Sequence, residues 1–172
     1  MASDLNVLFT REQIAARVAE LGRQITRDFA GEPVLLVGVL KGAAIFLSDL
    51  PRQIQLDSSF DFIAVSSYEN ERQSSGEIKL LKDIDQSVED KSIILVEDIL
   101  DTGLTLSYLK KMFLARHPRA LRVAALLDKR CCRQQPVHAD YTGFEIPDVF
   151  VVGYGMDFSE HYRNLPDICV LP

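Results

Sequence analysis

Apolar residues near the start of the chain predict one long amphipathic helix. They recur there every three or four residues, at Ile14, Val18, Leu21, Ile25 and Phe29. This spacing places them on one face of a helix over residues 11–30. Thr10 and Gln13 have the spacing of a capping box at its start, and Gly31 follows as a stop signal.

After this helix the apolar residues gather into short runs that predict β-strands. The predicted strands are Val34–Leu40, Phe60–Ser66, Leu80–Ile84, Ser92–Val96 and Leu121–Leu127. Helical patterns over Gly42–Leu50 and Thr105–Ala115 lie between some of them. Strands that alternate with helices predict an α/β fold with a doubly wound, mostly parallel sheet and flanking helices. Its ligand crevice is expected at the carboxyl ends of the strands.

The last part of the chain has a different pattern. From Phe144 to Val170, short apolar runs alternate with irregular stretches. We expect this tail to fold over the crevice as a small hood. The prediction is a single domain over residues 1–172, with a core of about 11–140 and a hood of about 141–172 that includes the N-terminal segment.

Composition and charge suit one globular domain. The 172 residues are 47% hydrophobic and 26% charged, which allows a sizeable core. Acidic residues number 25 against 19 basic ones, so the formal charge is −6. An acidic chain without Lys or Arg runs is poorly suited to bind nucleic acid or a membrane surface. The N-terminus has no signal-peptide pattern and no apolar stretch is long enough to span a bilayer, so we expect a cytosolic protein.

The cysteines and histidines predict neither a disulfide framework nor a zinc site. There are three cysteines, and Cys131 and Cys132 are adjacent. An odd count with a neighbouring pair fits a reducing compartment. The three histidines lack the spacing of zinc ligands. The cysteines are interpreted as structural or incidental.

The most informative segment runs from Ile93 to Thr105, where an apolar strand leads into a polar loop. Its polar residues are Glu97, Asp98, Asp101, Thr102 and Thr105, and Gly103 lies in the loop between the two threonines. A strand, a loop and a helix N-terminus in this order form the usual anion site of α/β proteins, and glycine lets the backbone approach a phosphate. Three carboxylates would repel a phosphate unless they bind sugar hydroxyls or Mg²⁺. The segment therefore predicts a site for a phosphorylated ribose with a metal ion.

Parts of this segment also occur in other protein families. Asp-Thr-Gly also marks aspartic proteases, but those need two copies in all-β surroundings, and this chain has one. The dinucleotide fingerprint and the P-loop need glycine patterns that are missing here. A solvated acidic turn with Thr102 or Thr105 as an ordinary N-cap stays open from these residues alone.

The segment resembles the phosphoribosyl pyrophosphate signature of type I phosphoribosyltransferases, in which an apolar strand and an acidic pair precede Asp-Thr-Gly-x-Thr. The rest of the chain is similar to the hypoxanthine–guanine branch of that family over nearly its whole length. The resemblance implies purine salvage by Mg²⁺-dependent transfer of the phosphoribosyl group to hypoxanthine or guanine, which gives IMP or GMP and pyrophosphate. It also implies a homodimer or homotetramer.

For the acidic segment, the resemblance implies separate roles. Glu97 and Asp98 would engage the ribose hydroxyls and one Mg²⁺. Asp101 matches the residue beside the purine 7-nitrogen, where a carboxylate takes or shares a proton as a general base. The 5′-phosphate loop would comprise Thr102, Gly103, Leu104 and Thr105.

Lys41 and Gly42 follow the predicted strand Val34–Leu40. From the residues alone, a helix start with a snorkelling lysine is an equally good interpretation. The family has a pyrophosphate loop at this position, often with a non-proline cis peptide, which would be Leu40–Lys41. By the same resemblance, Arg163 would contact pyrophosphate and Asp157 would bind a second Mg²⁺.

Residues near the end of the chain match the family's purine site. Lys129 follows the predicted strand Leu121–Leu127, and without the family an exposed loop lysine is the simpler interpretation. The resemblance makes it the donor to the purine 6-oxygen, where a cation favours an oxo group over the amino group of adenine. Phe150 would stack on the base, although a lone aromatic is more often core, and the backbone of Val151 would read the base edge.

Residues Ser67–Lys79 form a polar stretch that predicts a long loop. Ser67 and Tyr68 match a dipeptide of the family's closing loop, which shields the transition state from water. A plain hairpin connection, with Tyr68 as a surface aromatic, stays open.

Two competing functions remain at this point. The first is a regulatory protein that keeps the fold but binds RNA or DNA, which would need a basic surface. The charge of −6 and the presence of Asp101 and Lys129 favour the enzyme. The second is a xanthine-preferring relative within the enzyme class.

Overall fold

The computed structural model describes residues 5–67 and 78–172. The strands in these residues are β1 (Asn6–Phe9), β2 (Val34–Leu40), β3 (Ser58–Ser67), β4 (Ile78–Lys82), β5 (Ser92–Leu100), β6 (Ala120–Asp128), β7 (Tyr141–Glu145), β8 (Val151–Val152) and β9 (Ile168–Val170). The helices are α1 (Arg11–Asp28), α2 (Ala44–Asp49) and α3 (Leu104–Leu114). Short 3₁₀ turns over Leu50–Gln53 and Arg130–Cys132 follow α2 and β6.

The main sheet has the strand order β4-β3-β2-β5-β6-β7. Its pairs are parallel except for β4, which lies antiparallel to β3 at the edge. The central strands β2, β5 and β6 are buried along most of their length. A parallel sheet that is covered on both faces needs such continuous apolar strands. The predicted α/β fold with a mostly parallel sheet is confirmed.

Helices cover both faces of the main sheet. α1 and α2 bury their apolar residues on one face, and α3 packs on the other. Burying a large apolar side chain contributes about 1.5–3 kcal/mol, so the apolar stripes hold these helices in place. The predicted capping box of α1 is present, since Gln13 N–H donates to Thr10 Oγ1 and Gln13 Oε1 accepts from Thr10 N–H. None of the helices in residues 5–67 and 78–172 combines the length and apolar character needed to cross a membrane.

The prediction for β5 was wrong at its carboxyl end. We predicted the strand to end at Val96, but its pairing with β6 extends to Leu100 opposite Asp128. Glu97 and Asp98 therefore lie inside the strand and not in the loop after it. Glu97 pairs with Ala125 of β6, which two adjacent acids in the sequence did not indicate.

Other element boundaries also differ from the prediction by one to a few residues, among them those of α1, α2 and β4. α1 ends at Asp28, and Gly31, with a φ of 82°, lies just beyond its end. α2 covers only Ala44–Asp49, because Pro51 lies in a 3₁₀ turn. β4 covers Ile78–Lys82 and not Leu80–Ile84, since it pairs with the end of β3.

A small second sheet with the order β1-β9-β8 lies at the end of the chain. β1 pairs antiparallel with β9, so the N-terminal segment joins the tail. β1 was not predicted as a strand. β7 pairs with β6 in the main sheet, whereas the sequence analysis placed residues after 140 in the hood.

Candidate active site

A cleft of about 300 Å³ opens at the carboxyl ends of β2 and β5. It is lined by the loop after β2, the end of β5, the start of α3 and two residues of the tail. Its charged lining residues are Lys41, Glu97, Asp98, Asp101, Asp157 and Arg163. The fold thus brings into one cleft residues that are far apart in the chain and that the sequence analysis assigned to the site.

The acidic pair lies on the floor of this cleft. Glu97 is only 6% exposed, and burial, with the nearby charge of Asp98, raises its pKa well above the usual value. Burial also raises the pKa of Asp98 to about 6, although backbone N–H groups and Arg163 oppose the shift. Within the described residues, no Lys or Arg forms an ion pair with either carboxylate. The negative charge of this acidic pair is therefore not balanced by an ion pair.

These two carboxylates fit a hard divalent cation. Mg²⁺ prefers oxygen ligands and usually binds through one or two carboxylates, with water and substrate phosphates completing its shell. In residues 5–67 and 78–172, no group of three or more His, Cys, Asp or Glu side chains is arranged to hold a metal by itself. An ion at Glu97 and Asp98 would therefore need the substrate as a further ligand.

The loop between β5 and α3 presents backbone donors to the cleft. Gly103 has a φ of 82° and lies at the N-cap of α3 without a side-chain cap. Thr102, Gly103 and Thr105 line the cleft, and the N–H of Leu104 contacts Thr102 Oγ1 at 3.4 Å. Uncapped N–H groups at a helix start bind anions well. The loop has the geometry of a phosphate site.

Asp101 lines the cleft, and Lys129 lies beside it, behind the residues that line the cleft. The N–H of Lys129 donates to Leu100 O at 2.9 Å, which ties the loop after β6 to the end of β5. Lys129 Nζ lies 3.8 Å from Asp101 Oδ2 and 3.7 Å from Asp148 Oδ1. The lysine is only 7% exposed, so it is not the exposed loop lysine that the bare sequence favoured.

Phe150 and Val151 lie at the start of β8. Phe150 is 52% exposed, and its ring meets Phe158 edge to face at 5.8 Å. It is therefore not a core residue, and about half of this large apolar side chain is accessible. Val151 is buried and its backbone pairs with Val170 in β9.

The pyrophosphate loop expected at Lys41 lies against a turn of the tail. The Leu40–Lys41 peptide bond is cis, as expected from the resemblance. Lys41 Nζ lies 2.9 Å from Glu160 Oε1. Gly155 packs so closely on the Gly42 carbonyl that a methyl group on Gly155 would overlap it. The tail thus covers this loop.

Arg163 organises the same turn. Its Nη1 donates to Gly155 O at 2.8 Å, and its Nη2 lies 2.8 Å from Asp157 Oδ1. Nε of Arg163 is buried and lacks a hydrogen-bond partner within the described part of the chain. Asp157 also accepts the Glu160 N–H at 2.8 Å. Arg163 keeps one buried donor beside the cleft that it lines.

Comparison with known proteins agrees with this geometry. The family model for the phosphoribosyl transferase domain matches residues 6–159. The chain is 48% identical over 165 residues to the hypoxanthine-guanine phosphoribosyltransferase of Bacillus subtilis, covering 96% of this chain and 92% of the relative. It is 50% identical over 172 aligned residues to the enzyme of that name from Mycobacterium avium, with 96% and 85% covered. The chain belongs to the phosphoribosyltransferase family.

Solved structures of similar proteins share the whole fold of this phosphoribosyltransferase. A crystal structure of a hypoxanthine phosphoribosyltransferase from Staphylococcus aureus has a TM-score of 0.96 at 45% identity, with 100% of this chain and 94% of that chain covered. A hypoxanthine-guanine phosphoribosyltransferase from Bacillus anthracis has a TM-score of 0.93 at 48% identity, with 97% and 98% covered. The similarity extends through both sheets.

Sequence reasoning missed several residues that shape the site of this phosphoribosyltransferase. Glu160 pairs with Lys41, and Asp148 lies beside Lys129. Arg133 forms an ion pair with the buried Asp128, and the N–H groups of the two residues after Arg133 donate to Thr102 O at 2.8 and 3.1 Å. No local sequence signal marks these residues, because their role depends on contacts between distant loops.

The predicted closing loop falls mostly outside the described residues. Ser67 is the last residue of β3, and Tyr68 and the rest of the stretch up to residue 77 lie outside. The assignment of Ser67 and Tyr68 to a closing loop therefore stays a prediction from the resemblance.

The raised pKa of Asp98 makes a testable prediction about stability. The folded protein holds this proton up to about pH 6, whereas an unfolded chain releases it near pH 4. The contribution of Asp98 to stability therefore falls as the pH rises through this range. We expect Asp98→Asn to stabilise the ligand-free protein above pH 6 by about 1–2 kcal/mol, or about 2–8 °C in Tm.

Thermal unfolding of both proteins between about pH 4.5 and 8 measures this effect, and the gain should shrink toward the acid end. Asp83→Asn is the matched control. Asp83 is paired with Arg116 at 2.7 Å, which lowers its pKa. Its replacement should therefore reduce stability at neutral pH. If Asp98→Asn is less stable than the wild type at pH 7.5, the claim that Asp98 is a buried charge without compensation is wrong.

Proposed function

We propose that this phosphoribosyltransferase acts in purine salvage. It transfers the 5-phosphoribosyl group from phosphoribosyl pyrophosphate to hypoxanthine or guanine, and it releases IMP or GMP and pyrophosphate. The observation that carries the proposal is the pairing of Asp101 with a buried Lys129, 3.8 Å apart, next to a helix N-terminus suited to a phosphate. A proton acceptor and a cationic donor at one end of a phosphate cleft suit a 6-oxopurine.

In the proposed reaction, each part of the cleft has one task. The N–H groups and hydroxyls of Thr102–Thr105 hold the 5′-phosphate. Glu97 and Asp98 accept hydrogen bonds from the ribose hydroxyls. Asp101 takes the proton from the purine 7-nitrogen as the base attacks the anomeric carbon. Lys129 donates to the 6-oxygen, while the exposed ring of Phe150 stacks on the base and the backbone of Val151 contacts its edge.

The leaving group would be held at the other end of the cleft. Lys41, Gly42 and Arg163, which line the cleft, supply donors for pyrophosphate. When bound at Glu97 and Asp98, Mg²⁺ supplies positive charge to the departing group. Asp157 is the proposed ligand of a second Mg²⁺, and such an ion would share this carboxylate with Arg163.

The proposed partners are small molecules, namely a 6-oxopurine base and phosphoribosyl pyrophosphate. The net charge of −6 argues against the competing nucleic-acid-binding function. A homodimer or homotetramer and a cytosolic location stay predictions. Turnover of labelled hypoxanthine, guanine, xanthine and adenine, with and without Mg²⁺, tests the function directly. Tight RNA or DNA binding without turnover of any base would favour the competing class.

Lys129→Gln tests how the base is recognised. A neutral amide offers either a donor or an acceptor, so we expect weaker discrimination between 6-oxo and 6-amino purines. The ratio of kcat/KM for hypoxanthine to that for adenine should fall by about tenfold or more, because loss of a charge-assisted hydrogen bond costs about 1.5–3 kcal/mol. Lys111→Gln is the control, since Lys111 is an exposed residue on α3. An unchanged ratio in Lys129→Gln would remove Lys129 from base recognition.

A further inference from the structure

Cys131 and Cys132 lie together in the 3₁₀ turn that follows Lys129. Their Sγ atoms are 3.7 Å apart. Cys131 is exposed, Cys132 is half-buried, and both are free thiols. The proposed reaction uses neither of them.

The separation of the two sulfurs suits a shared central atom. Two sulfurs at about 2.3 Å from one shared atom lie about 3.3 to 3.8 Å apart, for bond angles between about 90° and the tetrahedral angle. The thiols of Cys131 and Cys132 already have nearly this spacing. Because no third metal-binding side chain completes a cluster within the described residues, the best ligand is one that two sulfurs satisfy. A trivalent organoarsenical, which carries one organic group and an oxide, meets this requirement.

We propose that Cys131 and Cys132 form a dithiol site for trivalent organoarsenicals, and that occupation of this site impairs purine binding. The second half of this statement rests on the proposed function. The first half is independent of it.

The reaction is a condensation without a change of oxidation state. The exposed Cys131 Sγ attacks the arsenic first and forms one As–S bond. Burial and the nearby negative charge of Asp148 raise the pKa of Cys132 to about 12, so this thiol closes the ring in a second, intramolecular step. Two S–H bonds break and two As–S bonds form. The arsenic oxide oxygen leaves as water with the two thiol protons, so no oxidant or reductant is needed.

The link to the purine site runs through the backbone of the turn. Asp148 lies 3.7 Å from Lys129 Nζ on the same side of the site. The Cys132 N–H donates to the Lys129 carbonyl at 3.1 Å. An arsenic atom bridging the two sulfurs replaces both thiol protons and adds an organic group within this turn. The position of Lys129 then changes, and the affinity for the 6-oxopurine falls.

Intact-mass measurement with phenylarsine oxide tests the first half. The reduced wild-type protein should gain one phenylarsenic group with loss of two hydrogens. Because two linked bonds act together, Cys131→Ser and Cys132→Ser should each need about 10²-fold more reagent for the same occupancy. Cys169→Ala is the matched control, since this third thiol is buried in β9, and it should react like the wild type. Equal labelling of wild type and Cys131→Ser would overturn the dithiol site.

Base turnover tests the second half on the same samples. Phenylarsine oxide should raise the KM for hypoxanthine in the wild type by about tenfold or more, which corresponds to about 1.4 kcal/mol. An added dithiol should reverse the effect, whereas the same concentration of a monothiol should not. A labelled protein with unchanged kinetics would overturn the coupling to the purine site. If no base is turned over at all, the proposed function fails, while the mass measurement still decides on the dithiol site.

Discussion

Replacing Asp101 with Asn should lower kcat by about 10²–10⁴, the usual share of a general acid or base in catalysis. Asn keeps the size of the side chain but does not accept a proton at neutral pH. Asp101 is half exposed and lies at the mouth of the phosphate loop, so its replacement should leave the fold and most substrate affinity intact. Steady-state kinetics with saturating phosphoribosyl pyrophosphate measures the effect, and circular dichroism checks the fold.

Asp148→Asn is the matched control for this experiment. Asp148 and Asp101 lie at nearly the same distance from Lys129 Nζ, 3.7 and 3.8 Å, but Asp148 does not line the cleft. Both variants remove one negative charge beside the same lysine. We expect Asp148→Asn to change kcat by less than about tenfold, because it removes no proton acceptor from the reaction. Wild-type turnover by Asp101→Asn would exclude Asp101 as the general base.

Gly42→Ala should reduce kcat/KM for phosphoribosyl pyrophosphate by about 10²-fold, because a displacement of about 1 Å in a binding group has costs of this order. A methyl group on Gly42 would overlap the Asp98 carboxylate. The backbone at Gly42 has little room to move, since Gly155 packs on the Gly42 carbonyl. The backbone of Asp98 is held inside β5. The substitution therefore pushes the pyrophosphate loop and the acidic pair apart. Initial rates at varied phosphoribosyl pyrophosphate concentration measure the change.

Gly31→Ala separates this effect from general destabilisation. Gly31 has a φ of 82° and open space around its Cα, so alanine costs about 1–2 kcal/mol of stability through backbone strain alone. Gly31→Ala should lower Tm and leave KM unchanged, since KM does not depend on the fraction of folded enzyme. Equal kinetic constants for Gly42→Ala and the wild type would show that the contact between Gly42 and Asp98 does not position the substrate.

Local patterns in the sequence were sufficient for much of the fold. The helical spacing from Ile14 to Phe29, with the capping box at Thr10, predicted α1 correctly except at its end. Continuous branched residues predicted β2, β5 and β6, because a strand buried on both faces leaves no polar position. The small second sheet was not predicted in detail, since β1, β8 and β9 are at most four residues long and such strands carry too little pattern.

The residues of the candidate site also fall into those found from the sequence and those found only in the structure. The sequence by itself placed Glu97, Asp98, Asp101 and the loop Thr102–Thr105 together, because these residues follow one another along β5 and into α3. Only the tertiary structure decided that Lys129 is buried beside Asp101, and that Glu160 and Gly155 cover the loop at Lys41. Those contacts join segments far apart in the chain. They depend on the strand order of the sheet and on the path of the tail, and neither is encoded in a spacing that can be read along the sequence.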